Sequence, residues 1–167
     1  MMKVSEVCTR NAFFCRPWSN LAEVGGWMWE HDCGALPVVD FEQRVVGILT
    51  DRDVAIALAT RNVPASQLLV SEVCRWNASC CPADAPLSVG LERMKSERIR
   101  RLPVLDSQGQ LVGVLSLSDL LRCAQPVRKA RSVDLTLEDV AQALRAINFG
   151  ARSLAPFEPE RFLAVAP

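Results

Sequence analysis

Val4-Ser5-Glu6-Val7-Cys8 recurs letter for letter as Val70-Ser71-Glu72-Val73-Cys74, 66 positions later. The same offset lays Cys15 on Cys81, Leu21 on Leu87, Met28 on Met94 and Leu36-Pro37-Val38 on Leu102-Pro103-Val104. It carries Asp40 onto Asp106, Val46-Gly47 onto Val112-Gly113, Leu49 onto Leu115 and Asp53 onto Asp119 without a gap. Matches this dense at one spacing mean a duplication. A solenoid takes three or more repeats, so two copies predict a pseudo-twofold pair. The 167 residues hold two such units and leave about 40 residues over.

Each copy gives the same order of elements. An extended opening segment (Val4 to Cys8, Val70 to Cys74) leads into a polar stretch with proline. A helix follows, capped by Ser19 in the first copy and Asp84 in the second, with Pro86 suited to the first turn. Its apolar stripe is Leu21, Val24 and Met28, or Leu87, Leu91 and Met94. Gly25-Gly26 weakens the first helix by ~1 kcal/mol per glycine, and close packing or a bend is the expected reason. Next comes a hairpin: Leu36 to Val39 with Val45 to Leu49, then Leu102 to Leu105 with Leu111 to Leu115. Pro37 and Pro103 cannot donate to a ladder and need edge or strand-start positions. A second helix begins at Asp51 or Ser118. The expected fold class is α+β (α/β), with two β-α-β-β-α repeats about a pseudo-twofold axis and a helical C-terminal extension. The expected domains are 1–65, 66–125 and 126–167.

This unit closes in Gly47-Ile48-Leu49-Thr50-Asp51-Arg52-Asp53 and again in Gly113-Val114-Leu115-Ser116-Leu117-Ser118-Asp119, each behind a Leu-Pro-Val element. It resembles the cystathionine β-synthase (CBS) domain. The tandem, over about residues 4 to 125, resembles a CBS pair or Bateman module. The resemblance implies an adenosine-containing ligand between the repeats: AMP, ADP, ATP or S-adenosylmethionine. It implies that the Thr50 or Ser116 hydroxyl meets phosphate and that Asp53 or Asp119 holds the ribose hydroxyls. The chemistry suits those residues, because a carboxylate accepts strong charge-assisted bonds and a helix N-terminus favours an anion. The apolar strands around Ile48 and Val114 would give adenine a dry face. Arg101 resembles a phosphate-binding arginine of the family, and its fork fits phosphate bidentately. Ala35 stands at the matching place in the first copy and would only line a wall. Ser116, Asp119 and Arg101 therefore make the better site; Thr50 and Asp53 lack that arginine unless Arg52 serves. Two plainer readings stay open. Arg98, Arg100 and Arg101 equally suit a solvated or dimer-interface cluster, and Asp53 and Asp119 also suit helix capping, although ligand binding is the preferred reading for them.

Charge and cysteine usage restrict the competing functions. Lys+Arg and Asp+Glu number 19 each, so there is no bulk case for nucleic acid or an anionic membrane. Basic character gathers only before Leu102 and in Val127-Arg128-Lys129-Ala130-Arg131. No apolar run approaches the ~20 residues of a membrane span, and no apolar h-region follows Met1, so a soluble cytoplasmic protein is expected. The seven cysteines show no Cys-x-x-Cys spacing, which predicts buried thiols and no metal. His31 is the only histidine and reads as a helix-end surface residue. No nucleophile elbow, glycine-rich phosphate loop or carboxylate dyad supports an enzyme. Trp18, Trp27 and Trp29 suit either a dimer face or a semi-buried cluster.

After a linker from Gln125 to Arg131, Thr136 and Asp139 approximate a capping box. The stripe Leu137, Val140, Ala141, Leu144 and Ile147 predicts an amphipathic helix near 136–148, stopped at Gly150. It is expected either to pack on its own module or to make a dimer contact or dock a protein partner. Phe157, Phe162 and Leu163 predict a tail that adheres to a surface. The expected whole is a regulatory sensor, homodimeric as the family commonly is, that signals by conformational change. The alternative is a ligand-free CBS scaffold for dimerisation or partner binding.

Overall fold

The computed structural model of the chain describes residues 1–126 and 135–149. The basic run 127–131, the stop at Gly150 and the tail with its phenylalanines lie outside the described residues. The first repeat gives α1 (Val4–Val7), β1 (Thr9–Arg10), α2 (Leu21–Glu30), β2 (Ala35–Val39), β3 (Val45–Thr50) and α3 (Asp51–Arg61). The second gives a 3-10 turn over Val70–Glu72, β4 (Arg75–Trp76), β5 (Cys81–Pro82), α4 (Leu87–Glu97), β6 (Arg101–Leu105), β7 (Leu111–Ser116) and α5 (Leu117–Cys123). A last helix, α6, spans Leu137–Phe149. The expected α+β class is the observed one.

Two sheets form, ordered β2-β3-β4 and β1-β7-β6-β5. In each a hairpin pairs Leu-Pro-Val against Gly-Ile-Leu (47–49) or Gly-Val-Leu (113–115), and each carries an irregularity at the same place, Val38/Val39 and Val104/Leu105. Pro37 solves its missing donor as expected. Its carbonyl accepts from Cys15 N at 2.9 Å, so its nitrogen faces the sparsely paired outer side of β2.

The opening segments are exchanged between the sheets. β1 pairs with β7 of the second repeat, Thr9 against Val114 and Arg10 against Gly113. β4 pairs with β3 of the first, Arg75 against Ile48 and Trp76 against Gly47. The buried cores follow the exchange. Val4 and Cys8 are buried with Cys81, Leu87, Met94, Leu102 and Leu115. Val70 and Cys74 are buried with Cys15, Leu21, Met28, Leu36 and Leu49. Each repeat therefore completes its partner's core, and burying each such aliphatic side chain contributes roughly 1.5–3 kcal/mol. The opening segments are not extended throughout: each is a short helical turn followed by a two-residue strand.

The helix caps differ from expectation. Asn20, not Ser19, caps α2, accepting from Ala22 N and Glu23 N. Ser19 is buried, and its hydroxyl accepts from Arg16 N. Pro86, not Asp84, is the N-cap of α4 and makes no side-chain cap bond. A Cβ added at Gly25 or Gly26 meets nothing within 4 Å, so close packing does not explain that pair. The stripe of α6 is turned by about one position: Val140, Ala143 and Ile147 are buried, while Leu137 and Leu144 are exposed. The expected Thr136–Asp139 box forms, with Asp139 Oδ2 accepting from Thr136 N (2.9 Å) and Oγ1 (2.6 Å).

All seven cysteines are free. Burial pushes the Cys15 thiol from an ordinary 9.0 up to about 12, with Cys74 beside it adding to the effect. Cys80 rises to about 11 through burial, partly offset by Arg93. A protonated Cys15 donates to Pro37 O. The folded state thus holds a neutral thiol where the unfolded chain ionises near pH 9. Its contribution is complete below pH 9 and drains as pH rises toward 12, by about 1.4 kcal/mol per pH unit. Urea unfolding between pH 8 and 11 is expected to fall more steeply for the wild type than for Cys15→Ala. Parallel slopes would show that Cys15 is not the titrating group.

Candidate functional site

Ser116 ends β7 and caps α5, because a hydroxyl at a strand-to-helix junction satisfies backbone donors that the helix leaves open. Asp119 N donates to Ser116 Oγ at 3.1 Å, while Ser116 N (2.8 Å) and Oγ (2.6 Å) donate to Asp119 Oδ2. Asp119 is only 3% exposed, and Arg122 pairs with its other oxygen. The first copy repeats this geometry. Asp53 N donates to Thr50 Oγ1 (3.2 Å), and Thr50 N (3.1 Å) and Oγ1 (2.5 Å) donate to Asp53 Oδ2. The capping role weighed for these carboxylates is therefore real in both copies.

The surroundings differ between the copies. Ser116, Asp119 and Val114 line a cleft of about 910 Å³, and Arg101 and Ala35 line it too. Arg101 lies directly across the β6–β7 ladder from Ser116. Its guanidinium reaches into the first repeat: a Cβ at Gly34 would fall 3.3 Å from Arg101 Nη2 and 2.7 Å from Asp51 Oδ2. Residue 34 must stay small for that crossing. Thr50, Asp53 and Ile48 line neither this cleft nor the neighbouring one of about 990 Å³. The arginine at the first copy is not Arg52. Asp53 Oδ1 accepts from Arg75 Nη2 (3.0 Å) and Nε (3.3 Å).

Sequence reasoning missed three walls of the cleft. One is the run Thr9 to Phe13, brought in by β1. Asn11 and its equivalent Asn77 both adopt a left-handed backbone (φ 51° and 57°), and that shared asparagine was the available signal. Another is His31, which caps the C-terminus of α2 and stacks on Phe13 with ring centroids 3.4 Å apart. It is exposed, as expected, yet it lines both clefts. The last is the exposed side of α6, where Leu137, Ala141 and Leu144 face the cleft. Arg100, also in the wall, bonds Asn148 near the end of α6. Among the described residues no group of three or more His, Cys, Asp or Glu is placed to hold a metal. None of the described helices is long and apolar enough to cross a membrane.

Residues 27–60 and 70–125 match the CBS domain family. An uncharacterised 17.7 kDa protein of Acidianus ambivalens is 33% identical over 122 residues, covering 72% of this chain and 71% of that one. The inosine-5′-monophosphate dehydrogenase of Methanocaldococcus jannaschii is 32% identical over 130 residues, 77% of this chain but 25% of the enzyme. Among solved structures, the CBS domain pair of protein MJ0100 was crystallised with 5′-methylthioadenosine and S-adenosyl-L-methionine. It superimposes with a TM-score of 0.65 at 25% identity, covering 72% of this chain and 98% of that one. A CBS domain protein of Pyrobaculum aerophilum complexed with AMP gives 0.66 at 23% identity, covering 71% and 90%. Hypoxic Response Protein I, solved with two coordinated zinc ions, gives 0.67 at 25% identity, covering 74% and 100%.

Proposed function

The chain belongs to the CBS domain family, and on that premise we propose that it is a regulatory module that binds an adenosine nucleotide in the cleft over Ser116 and Asp119. The observation that carries this reading is the convergence there of Ser116, Asp119 and Arg101 with Ala35 from the other repeat. The MJ0100 pair, bound to adenosine compounds, supports the same ligand class. In this reading Asp119 accepts from the ribose, Arg101 and the Ser116 hydroxyl take phosphate, and Val114 and Ala35 flank the base. Arg10, Arg100 and Arg101 line the cleft against two carboxylates, Asp32 and the already paired Asp119. That balance favours AMP, ADP or ATP over the sulfonium cation of S-adenosylmethionine. The reading includes no catalytic step. Ligand contact with both repeats and with α6 would favour one arrangement of the three, and that shift is the signal passed on.

One observation favours a ligand-free scaffold instead. The Thr136–Asp139 box has the same bonds as the two repeat boxes, so this motif forms here purely as a helix cap. Thermal unfolding separates the readings. AMP at a hundredfold excess over its Kd is expected to stabilise the chain by about 2.7 kcal/mol. S-adenosylmethionine at the same concentration is expected to do less. No shift with AMP, ADP or ATP leaves the scaffold. The homodimer implied by family likeness belongs to this proposal, with Trp29, Ile56 and Leu121 exposed on α2, α3 and α5. A sedimentation mass of 18.4 kDa would remove it.

A further inference from the structure

We propose that Arg75 closes the first repeat's copy of the nucleotide site from within, so that each chain takes up one nucleotide, at Ser116 and Asp119. The inference rests on the nucleotide reading of that cleft. The 66-residue offset sets Thr9 against Arg75, Ser116 against Thr50 and Asp119 against Asp53. The backbones agree: Thr9 pairs with Val114 as Arg75 pairs with Ile48, and a left-handed asparagine follows each strand. The strand residue beside the helix-capping carboxylate is therefore a threonine in one copy and an arginine in the other.

That one difference changes what the carboxylate has left to offer. Thr9 is short and lines an open cleft. Arg75 extends across to Asp53 and donates twice to Oδ1, while Thr50 holds Oδ2 from N and Oγ1. Both oxygens of Asp53 are engaged, as those of Asp119 are, but its second donor comes from the strand whose counterpart lines the cleft in the other copy. Asp119 also meets an arginine, but this one is Arg122 of its own helix, 71% exposed and outside the cleft lining. Its approach leaves the ligand side clear. Arg75 is 59% exposed, so its ion pair gains little Coulomb energy in solvent. Its effect is to fill the place a ribose would take and to supply the donors a ribose would supply. The other strand residue differs as well, since Trp76 stands where the second site has the cleft-lining Arg10.

Calorimetric titration with AMP tests this through stoichiometry. The wild type is expected to bind one AMP per chain, and Arg75→Thr, which copies the second repeat, two. Asp53→Ala added to Arg75→Thr is expected to restore one. Arg75→Ser serves if the threonine variant does not fold. Two AMP per wild-type chain would overturn the inference and leave the proposed function standing. One AMP per Arg75→Thr or Arg75→Ser chain would overturn it in the same way. A wild type that takes up no AMP removes the functional reading and this inference together.

Discussion

Asp119→Ala is expected to weaken AMP binding at least about 100-fold and to cost about 1–2 kcal/mol of stability. The two losses have separate origins. A carboxylate that accepts from two ribose hydroxyls makes charge-assisted bonds of about 1.5–3 kcal/mol each, and losing both exceeds two decades of affinity. The stability loss is that of a helix cap, because Asp119 also accepts from Ser116 N and Oγ. Asp139→Ala separates the effects. It breaks the matching box of α6 at an exposed position. A cap-sized loss of stability with an AMP affinity changed far less than by Asp119→Ala is the expected outcome. Urea unfolding and calorimetry on the two variants supply the comparison. A ligand-free scaffold predicts the stability losses alone, and equal AMP affinity in wild type and Asp119→Ala would exclude Asp119 from the site.

Gly113→Ala is expected to destabilise the chain by about 2–4 kcal/mol and to weaken AMP binding with it. A Cβ there would fall 2.4 Å from Thr9 O and 3.2 Å from Cys8 Sγ. The first of these is backbone, and moving it breaks the pairing of β1 with β7. β1 carries Asn11, Ala12 and Phe13 into the cleft wall, so the damage reaches the site. Gly47→Ala meets Arg75 O at 2.8 Å and should cost less. Gly26→Ala, which meets nothing, should instead stabilise α2 by up to about 1 kcal/mol. Equal unfolding midpoints for Gly113→Ala and Gly26→Ala would show that the exchanged strand does not bear on stability.

The duplication was legible because paired residues bury the same way: Leu21 with Leu87, Met28 with Met94, Leu36 with Leu102. The exchange of opening segments was not, and the reason lies in the repeat itself. Val4-Ser5-Glu6-Val7-Cys8 and its copy are identical, so neither states which core it fills. Two-residue strands such as β1 and β4 are also too short to show a period of two. Ser19 and Asn20 are neighbouring cap-forming residues, and only the backbone chose between them. At the site, the motif residues Ser116 and Asp119 and the nearby Arg101 were readable as chemistry. Thr9 to Phe13 and the exposed side of α6 come to the cleft only through tertiary packing. Arg75 was hidden for the opposite reason: it is a mismatch in the repeat, and attention to matches passes over it.

The most direct measurement is a crystal structure of the chain grown with saturating AMP. One nucleotide per chain is expected, with its ribose hydroxyls on Asp119 and its phosphate at Arg101 and Ser116. A cleft left empty at saturation, or AMP seated at Thr50 and Asp53 instead, would contradict it.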